Sequence, residues 1–186
     1  EILSEPEPHA PFAFARAIWH YGRGVAYSAM ENEDAALNEL AAIERLEPEV
    51  DEIFMGNVYP AKNLLAIAKS LLRGEIAFRS GAMAAAVVSF EEAVAMQDAL
   101  PYTEPPFWYY PTRQSLGAAL LADGRAAEAQ LVFEADLEHY PMNGWSLYGL
   151  TEALSTQGHT ALAEAARLRF EAVWQFSDVT LSTSVL

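Results

Sequence analysis

Large apolar residues recur at helical spacing along most of the chain. Phe14, Ile18, Tyr21, Val25 and Ala29 fall three or four residues apart and predict a helix over residues 12–30. Asn32–Asp34 breaks it, and a second helix follows over about 35–46, stopping before Pro48. Residues 48–60 are less regular, with Gly56, Asn57 and Pro60 as punctuation. A third helix over about 61–80 turns at Gly81 into a fourth over about 82–97. Pro101, Pro105 and Pro106 then forbid continuous helix. The fifth helix is expected to start near Tyr109, with Pro111 in its first turn, and to end at Asp123-Gly124. The sixth covers about 126–139 and ends before Pro141. Asn143 caps the seventh, about 144–157, and Gly158 turns into the eighth, about 160–176. Residues 1–11, with Pro6, Pro8 and Pro11, read as a linker, and 177–186 as a frayed tail or a surface strap.

Eight helices in pairs make four hairpins, over about 12–48, 60–98, 107–141 and 142–176. The fold class is therefore all-α. The second half echoes itself after 34 residues: Leu116 recurs as Leu150, Gly124 as Gly158 and Ala129 as Ala163. The third hairpin also carries Leu116-Gly117, Ala129, Phe133 and Pro141, and the second carries Gly74, Ala86, Phe90 and Ala93. The first has Gly24, Tyr27, Ala36, Leu40 and Pro48, with His20 in place of a Trp. The fourth has Leu147, Leu150, Leu154 and Ala163, but Thr151 replaces a Gly and Arg167 a Phe.

On these residues the chain resembles the tetratricopeptide-repeat family over about residues 12–176. Repeat starts fall at 17, 67, 110 and 144, so the spacings are 50, 43 and 34. The first two connections thus carry 16 and 9 residues beyond the 34-residue unit. The resemblance implies a single solenoid domain, a right-handed α-α superhelix of about four hairpins. The segments 17–24 and 105–117 look like those of a group of longer bacterial repeat proteins to which no activity is assigned. That implies a C-terminal portion of such a protein, as does a chain beginning Glu-Ile-Leu-Ser without Met.

Composition narrows the partners. Net charge is −15, from 26 acidic and 11 basic residues, and Lys62 and Lys69 are the only lysines. A basic face for phosphates is lacking, so nucleic acid is excluded and an anionic membrane surface disfavoured. Cysteine is absent, which excludes disulfides and thiolate metal sites. No apolar stretch approaches the roughly 20 residues of a membrane-spanning helix. The compartment is left open, the cytoplasm being favoured.

In the family, first helices of successive hairpins line a concave groove that holds protein or peptide. Carried over, the groove residues are Tyr21, Glu75, Phe78, Arg79, Gln114, Trp145, Tyr148 and Glu152. Trp108, Tyr109 and Arg113 form a further aromatic patch. The alternative for these rings is to fill the gap left by the second long connection. The connections or the tail could likewise fill the groove. Lysine and asparagine are missing from the positions of the family's carboxylate clamp, so that mode of binding is not expected. Arg113 replaces an apolar residue and Asp136 a small one, and a pair between Arg113 and Asp136 or the Glu134 region is expected.

No catalysis, cofactor or metal is expected. His9, His20, His139 and His159 show no ligand spacing, and His20 reads as a packing residue. Nucleophile-elbow, P-loop and dinucleotide motifs are absent, Gly22 and Gly24 lying inside a helix. The expected function is a binding scaffold. The alternative is the C-terminal half of an enzyme, or of a small-ligand or metal-binding protein, which calls for a deep pocket with convergent polar groups. A homodimer through exposed solenoid ends is a third possibility.

Overall fold

A computed structural model describes residues 1–51 and 59–184. Gly56 and Asn57, expected as punctuation, and Val185 and Leu186 of the tail lie outside the described residues. The protein is all-α. Its helices are α1 (Ala13–Ala29), α2 (Glu33–Leu46), α3 (Ala61–Arg79), α4 (Met83–Asp98), α5 (Arg113–Ala122), α6 (Ala126–His139), α7 (Gly144–Thr156) and α8 (Thr160–Trp174). There is no strand among the described residues. The chain forms two compact units, residues 1–110 and 111–186.

In the first unit, α1 packs on α2 and α3, α2 on α3, and α3 on α4. The core is aliphatic, built on Ile43, Leu64, Leu65, Ile67, Leu71 and Leu72, with Phe90 from α4. Burying each such side chain contributes about 1.5–3 kcal/mol. Gly74 admits Phe90: a β-carbon there would lie 2.3 Å from the ring.

In the second unit, α5 packs on α6 and α7, α6 on α7, and α7 on α8. Phe133 of α6 is fully buried. Its ring lies where β-carbons on Gly117 of α5 and Gly149 of α7 would sit, 2.3 and 2.2 Å away. Phe133 is thus a wedge between two helices, and two glycines make its room.

The four hairpin turns share one geometry. The second residue after each first helix takes a left-handed backbone: Glu31 (φ 57°), Gly81 (φ 82°), Gly124 (φ 76°) and Gly158 (φ 76°). The next amide, of Asn32, Ala82, Arg125 or His159, donates back to the carbonyl of Tyr27, Ala77, Leu120 or Leu154, at 2.8–3.0 Å. This satisfies carbonyls that the helix end leaves open. The left-handed residues are spaced by 50, 43 and 34, the spacings expected for the repeat starts.

Boundaries differ from expectation where side chains act locally. α5 begins at Arg113 and not near Tyr109. Tyr110 precedes a proline, which pushes it out of the helical region, and its carbonyl accepts Gln97 Nε2 at 3.0 Å instead. α2 begins at Glu33, because the Asn32 side chain accepts from Ala35 N at 3.2 Å and two acidic residues fill the first turn.

The lead-in is tied to α1. Arg23 donates to Leu3 O at 3.1 Å, Trp19 Nε1 to Glu5 O at 3.3 Å, and Ile2 lies against Gly22. The tail is a strap. Trp174 Nε1 donates to Val179 O at 2.7 Å, and buried Ser184 donates to Gln114 O at 3.4 Å.

Candidate functional site

The first unit gathers several expected site residues. Tyr21 sits at the middle of α1 and is buried. Its ring meets Trp108 edge-on at 5.6 Å, and its hydroxyl lies 3.5 Å from that of Tyr109. Trp108 is buried, and its indole N–H is sealed from solvent without an acceptor. Tyr109 leans on Trp108 at 5.3 Å and on Tyr110 at 4.8 Å, yet stays 72% exposed. Phe107 continues the aromatic contacts to Tyr59, and Tyr59 to Phe14, each at 5.6 Å. Trp108 thus fills the unit's interior, while Tyr109 faces water. Burial, with the two neighbouring phenols, pushes the Tyr21 hydroxyl well above the usual tyrosine range.

Glu75 lies in α3 and is 8% exposed. Its nearest cation is Arg79, one helical turn on, with Nε 3.9 Å from the carboxylate. Burial pushes its carboxyl up to about 7, Arg79 pulling only weakly the other way. Its charge also acts on the Tyr109 phenol, which places the two groups near each other. Phe78 is half-buried, and the exposed Arg79 guanidinium lies 6.0 Å over its ring.

A second buried carboxylate in this unit is satisfied. Glu39 accepts Arg23 Nε at 2.8 Å and lies 2.5 Å from His20 Nδ1. Arg23 also stacks 4.5 Å over Trp19. His20, read as a packing residue, thus also ties α1 to α2. The open cleft beside α3 and α4, about 430 Å³, has Lys69 and Arg73 on its wall. Lys69 is held at 2.6 Å by Glu47, and Arg73 at 2.7 Å by Glu44, so both cations are already neutralised.

In the second unit the expected residues separate into two groups. Gln114 is buried, and its amide donates to Asn143 Oδ1 at 3.1 Å. Asn143 caps α7 through Trp145 N and donates to Asp136 Oδ2 at 2.7 Å. Ser146 donates to the same oxygen at 2.5 Å. Asp136 is 1% exposed. Burial pushes its carboxyl up, while Ser146, Asn143 and the charge of half-buried Arg113 hold it down. Among the described residues, the direct hydrogen-bond partners of Asp136 are thus Asn143 and Ser146, and the charge of Arg113 also acts on it.

Trp145 and Tyr148 are half-buried and turn toward α8. Trp145 meets Trp174 edge-on at 5.4 Å, and Tyr148 meets Phe170 at 5.6 Å. Glu152 is exposed one turn beyond Tyr148, whose phenol is pushed up by burial and by that charge. The Asn143–Asp136–Ser146 network escaped sequence reasoning. An Asp three residues after Phe133 on the buried face of α6 was its signal, together with the cap three residues before Ser146.

Among the described residues, no group of His, Cys, Asp and Glu is placed to hold a metal ion, and no helix is long and apolar enough to cross a membrane. Comparison of the chain with protein-family models, with curated proteins and with solved structures finds no match.

Proposed function

We propose that the chain is a tetratricopeptide-repeat-like scaffold, a right-handed α-α superhelix of about four hairpins that binds protein or peptide and performs no catalysis. Three features support the architecture. The left-handed turn residues keep the spacing of the repeat starts. Gly74–Phe90 and Gly117–Phe133 join the helices of their hairpins in the same way. In each unit the first helices of the two hairpins pack together, and the second helix of one packs on the first of the next.

The observation that carries the binding role is the surface formed by Tyr21, Glu75 and Tyr109. It combines an exposed ring on a buried aromatic base with polar groups beside it. Tyrosine and tryptophan supply large contact area and a polar handle at little entropic cost. Nucleic acid does not fit a chain of net charge −15.

The test is to pan a random twelve-residue peptide library on the full chain and titrate enriched peptides by calorimetry. The reading expects micromolar peptides whose affinity falls at least tenfold in Tyr109→Ala and is unchanged in Val88→Ala, an exposed position on α4. Absence of any saturable peptide, or equal affinity for both variants, contradicts it.

Self-association is a second reading, favoured by the last helix. Leu162 and Leu168 of α8 and Phe176 just beyond it are exposed, Phe176 at 92%. Light scattering across concentrations tests it: the reading expects a dimer that Leu168→Glu dissociates, and a monomer throughout rules it out.

A further inference from the structure

Two glutamates of the first unit are equally buried, each 8% exposed, and are treated in opposite ways. Glu39 has the partners a buried charge ordinarily requires, Arg23 at 2.8 Å and His20 at 2.5 Å. Glu75 receives no hydrogen bond from the described residues. Its ionic partner among the described residues is Arg79, 3.9 Å away and itself a third exposed. A tenth of the Glu75 side chain stays open to solvent. Among the described residues, the carboxylate is thus an acceptor without a donor.

The surroundings suit a cation. The Tyr21 and Tyr109 hydroxyl oxygens can accept hydrogen bonds, and Tyr109 offers a largely exposed ring that rests on the buried Trp108 and on Tyr110. Guanidinium and ammonium groups are drawn to aromatic faces and to carboxylates. The chain's net charge of −15 favours approach of a basic partner.

We propose that Glu75 anchors a cationic side chain, arginine or lysine, of a peptide bound at the Tyr21–Tyr109 surface. Naming a peptide rests on the scaffold reading, but the cation preference does not. Seated against Glu75, the cation supplies the missing donor and charge, and the carboxyl gives up its proton. Among the described residues, the charged and titratable groups facing that carboxyl are Arg79 on its own helix and Tyr109 from the aromatic segment. Binding near pH 6.5 therefore releases a proton from Glu75 itself.

The test uses small probes on the full chain: N-acetyl-arginine amide, N-acetyl-lysine amide and the neutral N-acetyl-citrulline amide, followed by NMR of the Tyr21, Trp108 and Tyr109 side chains. At least one cationic probe is expected to bind tenfold or more tighter than citrulline, and Glu75→Gln is expected to erase that preference. Circular dichroism confirms that the nearly isosteric variant stays folded. Equal binding of all three probes, or an undiminished cation preference in Glu75→Gln, overturns the inference. If the cation preference holds while no library peptide binds, the inference stands and the scaffold reading fails. If library peptides bind equally well to Glu75→Gln, the scaffold reading stands and the inference fails.

Discussion

Gly117 and Phe133 occupy each other's space: a β-carbon on the glycine would lie 2.3 Å from the phenylalanine ring. Gly74 and Phe90 stand in the same relation in the other unit, again sixteen residues apart and again at 2.3 Å. A small residue on the first helix and a ring on the second set how closely each hairpin closes.

Gly117→Ala is therefore expected to destabilise by overpacking, by about 1–3 kcal/mol or more, because the fully buried ring has no free direction to move. Gly81→Ala serves as the comparison. Its β-carbon meets nothing within 4 Å, so only its left-handed backbone opposes the change, at a cost of about 1 kcal/mol. Urea denaturation of both variants measures the difference.

Glu31 holds the left-handed turn position that Gly fills in the other three hairpins. Glu31→Gly is expected to raise stability by up to about 1 kcal/mol, since glycine adopts this backbone without steric cost. An unchanged or lower urea midpoint would show that the Glu31 side chain contributes something the turn geometry does not reveal.

Burial raises the Glu75 carboxyl from an ordinary 4.5 to about 7. The folded chain then holds a proton that the unfolded chain has released, so stability falls as pH rises between about 4.5 and 7. The full difference is about 3 kcal/mol. Glu75→Gln lacks this penalty: it is expected to match the parent near pH 4.5 and to exceed it at pH 8. Parallel stability curves for the two proteins across that range contradict the prediction.

Asp136 organises α6 and α7 through Ser146 and Asn143. Asp136→Ala leaves a buried serine hydroxyl without its acceptor and frees the cap residue, and about 2–3 kcal/mol of stability is expected to be lost. Asp136→Asn, which keeps a carbonyl acceptor, is expected to lose less. Arg113→Ala removes a charge that holds the Asp136 carboxyl down, so the Asp136 titration, as followed by NMR, is expected to move up.

Much of the architecture was legible because its signals are local. The sixth helix was expected over 126–139 and spans Ala126–His139, with Gly124 turning before it and Pro141 after it. The turn register was legible through Gly81, Gly124 and Gly158, whereas Glu31 gives no residue-type signal for its positive φ. The start of α5 was misplaced, because the tolerance of Pro111 in a first turn outweighed the restriction it puts on Tyr110. Gly149 was overlooked because its reason for being small is Phe133, sixteen residues back and on another helix. The site was less legible for the same cause. Glu39 and Glu75 look alike as glutamates in helices, and only the fold gives one of them Arg23 and His20 and leaves the other with a distant Arg79.

The most direct measurement of the central claim is an NMR chemical-shift map of the full chain titrated with a library-selected peptide. The account predicts that the largest changes fall on Tyr21, Glu75, Phe78 and Tyr109, and that Tyr109→Ala abolishes them. Changes centred instead on the Lys69–Arg73 cleft, or on no continuous surface, would contradict it.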